Sequence, residues 1–572
     1  LDTRPGAATI DGAFAGIGLR PAGSTLQLDV AGRAGLPADS SSVVLNVTAT
    51  LPGAWGYLTV NPSGTARPNT SNLNYAAGQT IANTVVTAVG ADGLVSIYTS
   101  ASTHLIVDVA GHLPVATFEP LPAPARILDT RLGTATVDGE HAGIGLRCAS
   151  SSVQLNVDGR AGLPADASSV VLNVTAVDAL AWGFVTEFPT GSGRPNASNL
   201  NYDAGTTIAN TVVARLGAGG DVCVYTYGAT HLIVDLIGHL PGPPPPPAGP
   251  TCPPMRYGSP RSLGSGVTVA DINNAGIVVG TDWHGSAADS DAIWWPTLGG
   301  GPQLVPGVAA DTRQSVMIAV NDRDEVLVET YSDTRGVELF VIDLPSGHSV
   351  LLPDLDAIPE LDGIDVSSPF PVALNDRGEA VLNLVQDEHT LDAVIAVWNS
   401  KTGAIETHDD LLDVGWAYDI NDRGHVVGAT FGDDGYIDSF YWEIDTSDVH
   451  WLDLGSFPMG WAYGLNDRGQ VVGAVEDGLG GRPATIWPSR DAAPVLIPGS
   501  SPAARDINEA GLVRGIFAQP DTWWAAHGIW DSVSGEWLEF PVQREYPIHA
   551  MNDVGQLVGL MGDEQPALWH PL

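Results

Sequence analysis

The stretch AYGLNDRGQVVG, Ala462 to Gly473, decides the reading of the C-terminal half, because near-copies of it recur there. The asparagine of the motif falls at Asn273, Asn321, Asn375, Asn421, Asn466, Asn508 and Asn552, at intervals of 48, 54, 46, 45, 42 and 44 residues. A short apolar run precedes each asparagine and another follows it, as in YDINDRGHVVG and AMNDVGQLVG. Between two such runs, Asn-Asp-Arg-Gly reads as a hairpin turn. The asparagine side chain holds the turn, and the glycine supplies the positive φ that a tight hairpin needs. In most copies a tryptophan follows 21 to 23 residues after the asparagine: Trp295, Trp398, Trp442, Trp487 and Trp530. Ile342 holds the place in the second copy, and Trp569 comes early in the last.

Four short strands per repeat, in seven repeats, predict a seven-bladed β-propeller over residues 255–572. The tryptophan is expected to pack between neighbouring blades. The chain ends at ALWHPL, one strand short of a complete seventh blade. MRYGSPRSLGSG, Met255 to Gly266, resembles the fourth strand of other blades and is expected to close the ring. The motif resembles the repeat of bacterial extracellular HAF-repeat proteins, which implies a propeller and export without implying a substrate. The second repeat departs from that pattern, with Asp324 in place of the glycine and no tryptophan.

Residues 1–240 hold a different repeat. LDTR, GIGLR, GRAGLPAD, VVLNVTA, SNLNY and THLIVD each occur twice, always at an offset of 127. This is a tandem duplication of one folded unit, read as module 1 (1–113), a linker (114–126) and module 2 (127–240). Runs such as VVLNVTA and IANTVVTAV are β-branched and bounded by Gly, Pro, Asn and Asp, so each unit is expected to be a small sandwich or jelly roll. The fold class is therefore all-β throughout. The unit is similar to one found in tandem in exported proteins of GC-rich, especially actinobacterial, bacteria, which implies export and surface association. PGPPPPPAGPTCPP, Pro241 to Pro254, reads as a polyproline II spacer before the propeller.

Cys148 and Cys223 of module 2 replace Pro21 and Ser96 of module 1. Because both positions change together, a Cys148–Cys223 disulfide is expected, which leaves Cys252 over and implies an oxidising compartment. Asp108 and Asp235, on the last strand of each module, are expected to pair with Arg4 and Arg131. Asn46, Asn69, Asn173 and Asn196 match glycosylation sequons; Asn46 and Asn173 lie within strands and read as structural.

The formal net charge is -42, with Lys401 the only lysine. Such a surface repels phosphate backbones and anionic lipid, so neither nucleic acid nor membrane insertion is expected. The sequence holds no run of the ~18 apolar residues that a membrane span requires. It also lacks HExxH, GxSxG, phosphate-loop and CxxC motifs, so no catalytic set, cofactor or metal is nominated. The turn aspartates Asp322, Asp376, Asp422, Asp467 and Asp553 form a ring of acid of the kind that binds Ca²⁺, but the Dx[DN]x[DN]G pattern is absent and turn chemistry is the better reading.

The loops on the opposite propeller face carry Trp283 and His284, Trp416 and Tyr418, Trp461 and Tyr463, and Trp523 and Trp524. Aromatic rings at a propeller mouth suit sugar rings or an extended peptide. The leading reading is an exported, non-enzymatic surface protein that binds a glycan or protein through this face. Two others stay open: a self-assembling structural subunit, for which module 1 lacks the PLPAPARI lead-in of module 2, and a propeller-type polysaccharide-active enzyme.

Overall fold

The computed structural model describes all residues except 114–117, 165–166, 248, 250, 285–288, 297–299, 310, 356–357, 359–360, 362–365, 367, 388–391, 409–410, 412–414, 432–435, 519–524, 539–546 and 562–564. The chain forms two compact units, Leu1–Met255 and Arg256–Leu572. Among the described residues no helix is long and apolar enough to cross a membrane.

In the first unit each module is a two-sheet sandwich. Module 1 pairs Ser24–Asp29, Leu94–Thr99, Gly56–Pro62 and Leu73–Tyr75 in one sheet, and Ile81–Ala88, Ser42–Thr50 and His104–Gly111 in the other. Alternation sends Val43, Leu45, Val47, Val95 and Ile97 into a common core. Module 2 repeats this order with one addition. Residues 119–126, read as linker from sequence, belong to an edge strand Glu119–Asp129 along His231–Pro241. Arg126 on that strand takes Asp235 as its partner at 2.9 Å, while Arg131 and Arg4 fold back on Asp129 and Asp2 at 2.8 and 2.6 Å. The expected pairing of Asp235 with Arg131 is thus corrected. Its counterpart Asp108 is exposed, and Arg4 is held by Asp2 instead. Of the sequon asparagines, Asn173 is buried and donates to the Ser71 carbonyl of module 1, whereas Asn69 and Asn196 are exposed.

The disulfide joins Cys223 to Cys252, not to Cys148, with Cα atoms 5.6 Å apart. Strand register explains the correction. Cys223 lies opposite Gln154, whereas Cys148 lies outside that strand, before the turn at Ala149 and Ser150 that precedes Ser151–Asn156. Cys148 is buried near the far end of the strand, where Arg147 and Thr230 pair. The proline-rich segment is consequently a strap rather than a free spacer. The Pro246 carbonyl accepts from Gly219 N–H, and Cys252 N–H donates to the Gln154 side chain. Phe188, Cys223, Tyr225 and Cys252 pack beneath it.

The second unit consists of seven four-stranded antiparallel sheets, the blades of a propeller. Blade 1 begins at Val267, blade 2 at Gln314, blade 3 at Ser368, blade 4 at Gly415, blade 5 at Gly460, blade 6 at Ser500 and blade 7 at Ile548. Blade 7 takes its outer strand from Arg261–Ser262, which pairs with Gln565–Trp569. Tyr257 bridges Pro571, so the expected closure by the start of the domain is observed.

Each motif asparagine does two jobs. Its Oδ1 accepts backbone N–H groups of its own turn: Asn466 takes those of Arg468 and Gln470 at 3.2 and 3.1 Å. Its Nδ2 donates to the carbonyl of the asparagine in the next blade. These bonds run from Asn273 through Asn321, Asn375, Asn421, Asn466, Asn508 and Asn552 back to Asn273, at 2.8–3.1 Å. The turn glycines have the expected positive φ, 75° at Gly469 and 80° at Gly378; Asp324 occupies that region at 62° in blade 2 and accepts from Asn273 Nδ2. The tryptophans lie between blades, Trp487 against Val427 and Tyr441 of blade 4 and Trp442 against Val381, Ile395 and Val397 of blade 3. The glycine ending QVVG has its own cause. A Cβ on Gly473 would sit 1.8 Å from the Trp461 carbonyl, and one on Gly280 would sit 2.0 Å from that of Thr268.

Two stability predictions follow from this packing. Asn466→Ala removes two acceptor contacts and the bond to blade 6. At about 1 kcal/mol each it should lower propeller stability by roughly 3 kcal/mol in denaturant titration, and an unchanged midpoint would refute the ring bond's role. In module 2, Glu187 is buried with both carboxylate oxygens unpartnered, and burial pushes its carboxyl up to about 8. Module 1 has Val60 there. The folded state holds a proton that the unfolded state releases above pH ~4.5, so stability is lost as pH rises from there to about 8. Glu187→Val should stabilise module 2 by roughly 2 kcal/mol at pH 7, and by less at pH 5. Equal melting temperatures for the two proteins at pH 7 would show the cost to be absent.

Candidate functional site: the propeller axis

At the turn end of the axis, the residue after each asparagine forms a second ring. The side chains of Asp322, Asp376, Asp422, Asp467, Glu509, Asp553 and Asn274 each accept the backbone N–H of the equivalent residue one blade back, closing from Asp553 N–H onto Asn274 Oδ1. An acceptor is needed at every one of these places, and five Asp, one Glu and one Asn supply it. Asn274, the neutral member, also donates its amide to Asp322 and Asp553 on its two sides. This tier rims a cavity of about 210 Å³, into which Asp271, Asp419 and Asp506 add a second tier from the residue two before the asparagine.

Nine carboxylates converge here, and burial favours the neutral form of seven of them, Asp271, Asp322, Asp419, Asp422, Asp467, Glu509 and Asp553. Burial, then the charge of Asp506, raises Asp419 to about 8. Burial, then Asp553 and Asp467, raises Glu509 to about 8. Burial also lifts Asp422 to about 7 and Asp271 and Asp322 to about 6. One oxygen of each rim acid is committed to a backbone N–H, so the rim is first a structural ring. Elsewhere, among the described residues, Glu443, Asp448 and His450 bring ligand atoms within 4.8 Å of one another, but Glu443 is ion-paired with Arg490.

Further along the axis, the innermost strand of every blade carries a β-bulge at the residue three before the asparagine. The bulged residues are Ala270, Ile318, Val372, Tyr418, Tyr463, Arg505 and His549. A bulge re-aims a side chain and is common next to binding sites. Three of these residues come together: the Tyr418 and Tyr463 rings meet edge to face at 5.0 Å, and the Arg505 guanidinium lies 4.3 Å over Tyr463. Trp416 meets Phe370 of blade 3 at 5.7 Å, and Phe370 is 54% exposed.

Of the aromatic residues singled out from sequence, Trp416, Tyr418 and Tyr463 therefore join one arc over blades 3 to 6. Trp461 is corrected: it is 4% exposed, packed among Ala429, Ala474 and Ala503 with Arg482 over its ring, and it supports the arc from behind. Trp283 is half-buried in blade 1, bonded to Thr268, and its neighbour His284 is held by Asp291 at 2.8 Å. Trp523 and Trp524 lie outside the described residues. Phe370 and Arg505 were missed, although both stand at the repeat offsets of Trp416 and Tyr418. The second acid tier was also legible in ADIN, YDIN and RDIN.

No family model matches the chain, and no curated protein is significantly similar in sequence. Among solved structures it is similar to the β-propeller domain of the Trilobed protease from Pyrococcus furiosus, at 8% identity and a TM-score of 0.37, over 55% of this chain and 97% of that one. It is also similar to TolB from Acinetobacter baumannii (10%, TM-score 0.31, 54% of this chain and 63% of that) and to the Pyrococcus horikoshii acylaminoacyl peptidase (11%, 0.37, 55% and 50%). The chain thus spans between half and two thirds of the latter two, and the likeness concerns fold alone.

The axial acids generate a pH prediction. Asp271, Asp422 and Asp419 bind protons more tightly in the folded than in the unfolded chain, so the propeller should be more stable at pH 5 than at pH 8, losing stability from pH ~4 until the pH passes their folded values of about 6, 7 and 8. Thermal melts of wild type and Asp419→Asn across this range test it. The variant should show the shallower decline, and parallel curves would show that Asp419 titrates normally.

Proposed function

We propose that the protein is a non-enzymatic binding protein of the extracellular space or cell surface, and that its propeller takes a saccharide on the arc Phe370, Trp416, Tyr418, Tyr463 and Arg505. The observation that carries this reading is the exposed Phe370 ring set against Trp416, beside the paired tyrosines with a guanidinium over one of them. Apolar ring faces interleaved with hydroxyl and guanidinium donors suit the C–H faces and hydroxyls of a sugar. The Cys223–Cys252 disulfide supports an oxidising compartment, and the strong negative charge supports solubility outside the cell.

A glycan array probed with wild type and with Phe370→Ala/Trp416→Ala tests the reading. Losing two stacking contacts of about 1 kcal/mol each should weaken binding at least tenfold. Equal binding by both proteins, or binding to peptides alone, would overturn it.

A further inference from the structure

The first unit contains a groove unconnected with the propeller arc. It encloses about 450 Å³ between modules 1 and 2. Its walls are built from the same positions of the two copies: Trp55 and Trp182, Asn74 and Asn201, Gln79 and Thr206. Each pair is separated by the 127-residue offset. Elsewhere the copies have diverged, Val60 becoming Glu187 and Asn61 becoming Phe188, yet both tryptophans and both asparagines of the groove are kept.

The two indoles are 62% and 56% exposed, whereas the blade tryptophans Trp295, Trp398, Trp442, Trp487 and Trp569 are at most 1% exposed. An indole left in water forfeits a large apolar stabilisation, and two at equivalent places lining one cavity call for a ligand. The floor is rigid. Tyr75 and Tyr202 are tied by their hydroxyls to Thr99 and Thr226 at 2.7 and 2.5 Å. Asp203 is the only charged residue lining the groove among those described, so the groove offers an anionic ligand no cationic partner. Beyond Trp55 the surface continues into a second cavity of about 470 Å³, which shares Trp55, Asn74 and Thr207 with the first; of its charged residues, Arg126 and Arg131 are ion-paired with Asp235 and Asp129, and Arg67 lies over the Tyr98 ring. A ligand longer than one ring would therefore run past the Trp55 face.

From this geometry we infer that the paired modules bind a neutral oligosaccharide, its rings stacked on Trp55 and Trp182 and its hydroxyls met by Asn74, Asn201 and Gln79. Two walls of matching chemistry fit a polymer that presents a repeating unit. The volume lies within the ~300–1,000 Å³ typical of small-molecule sites. This site is independent of the propeller arc.

The full-length protein is titrated with neutral oligosaccharides of two to six units from β-glucan, chitin, mannan and α-glucan series, followed by isothermal calorimetry and saturation-transfer NMR. At least one series should bind. Trp55→Ala/Trp182→Ala should weaken that binding at least tenfold, while Phe370→Ala/Trp416→Ala leaves it within twofold. Trp55→Phe/Trp182→Phe, which keeps a stacking face, should retain intermediate affinity and the wild-type melting temperature, separating loss of contact from misfolding. Absence of binding by every series at millimolar concentration, binding unaffected by the alanine pair, or loss only in the propeller variant would each overturn the inference.

Discussion

One side-chain amide per blade, donated to the next blade's backbone, is the interaction on which the propeller depends. Each motif asparagine closes its own turn with one end and reaches across the blade boundary with the other, and after seven steps the chain of bonds returns to Asn273. Because the acceptor is the carbonyl of the next asparagine, register within a blade and spacing between blades are set by the same group. Aspartate in that place could not donate, and glutamine would be one methylene too long to serve both ends. The carboxylate ring one residue on repeats the linkage with backbone donors, so each boundary on the axis is tied twice.

That second tie has an electrostatic cost. Carboxylates crowded on an axis repel one another, and burial deprives them of water. Backbone N–H donors offset part of this at every rim position, and Asn274 breaks the run of charge between Asp322 and Asp553. The rest appears as proton affinity, with Asp419 and Glu509 raised to about 8.

Much of this was legible in the sequence, for a physical reason. Blade repeats and the duplication are encoded by local turn chemistry and alternating apolar runs, so the number of blades, the closing strand and the buried tryptophans could be read from spacing. What escaped depended on register and long-range approach. Cys148 and Cys223 differ together from module 1, yet strand pairing puts Gln154 opposite Cys223 and leaves Cys148 beyond the strand's start, while Cys252 reaches Cys223. Trp461 and Trp416 hold the same repeat position, but the burial of the first is decided by Arg482 and by alanines of neighbouring blades. The bulge that aims Tyr418 and Tyr463 toward one another leaves no sequence mark beyond its fixed distance from the asparagine.

The strap and its disulfide also determine how the first unit bears load. Tension applied to the chain beyond residue 252 would, without the bond, peel the proline-rich segment and then unzip His231–Pro241 from its neighbours one pair at a time. The bond to Cys223 shunts that force into the middle of Asp221–Thr226, which is flanked by Gly183–Pro189 and Ser151–Asn156. The intervening residues form a closed covalent loop that cannot lengthen. Extension must then shear several backbone hydrogen bonds of a central strand at once, the mechanically resistant geometry for a β-sandwich that carries another domain on its C-terminal end.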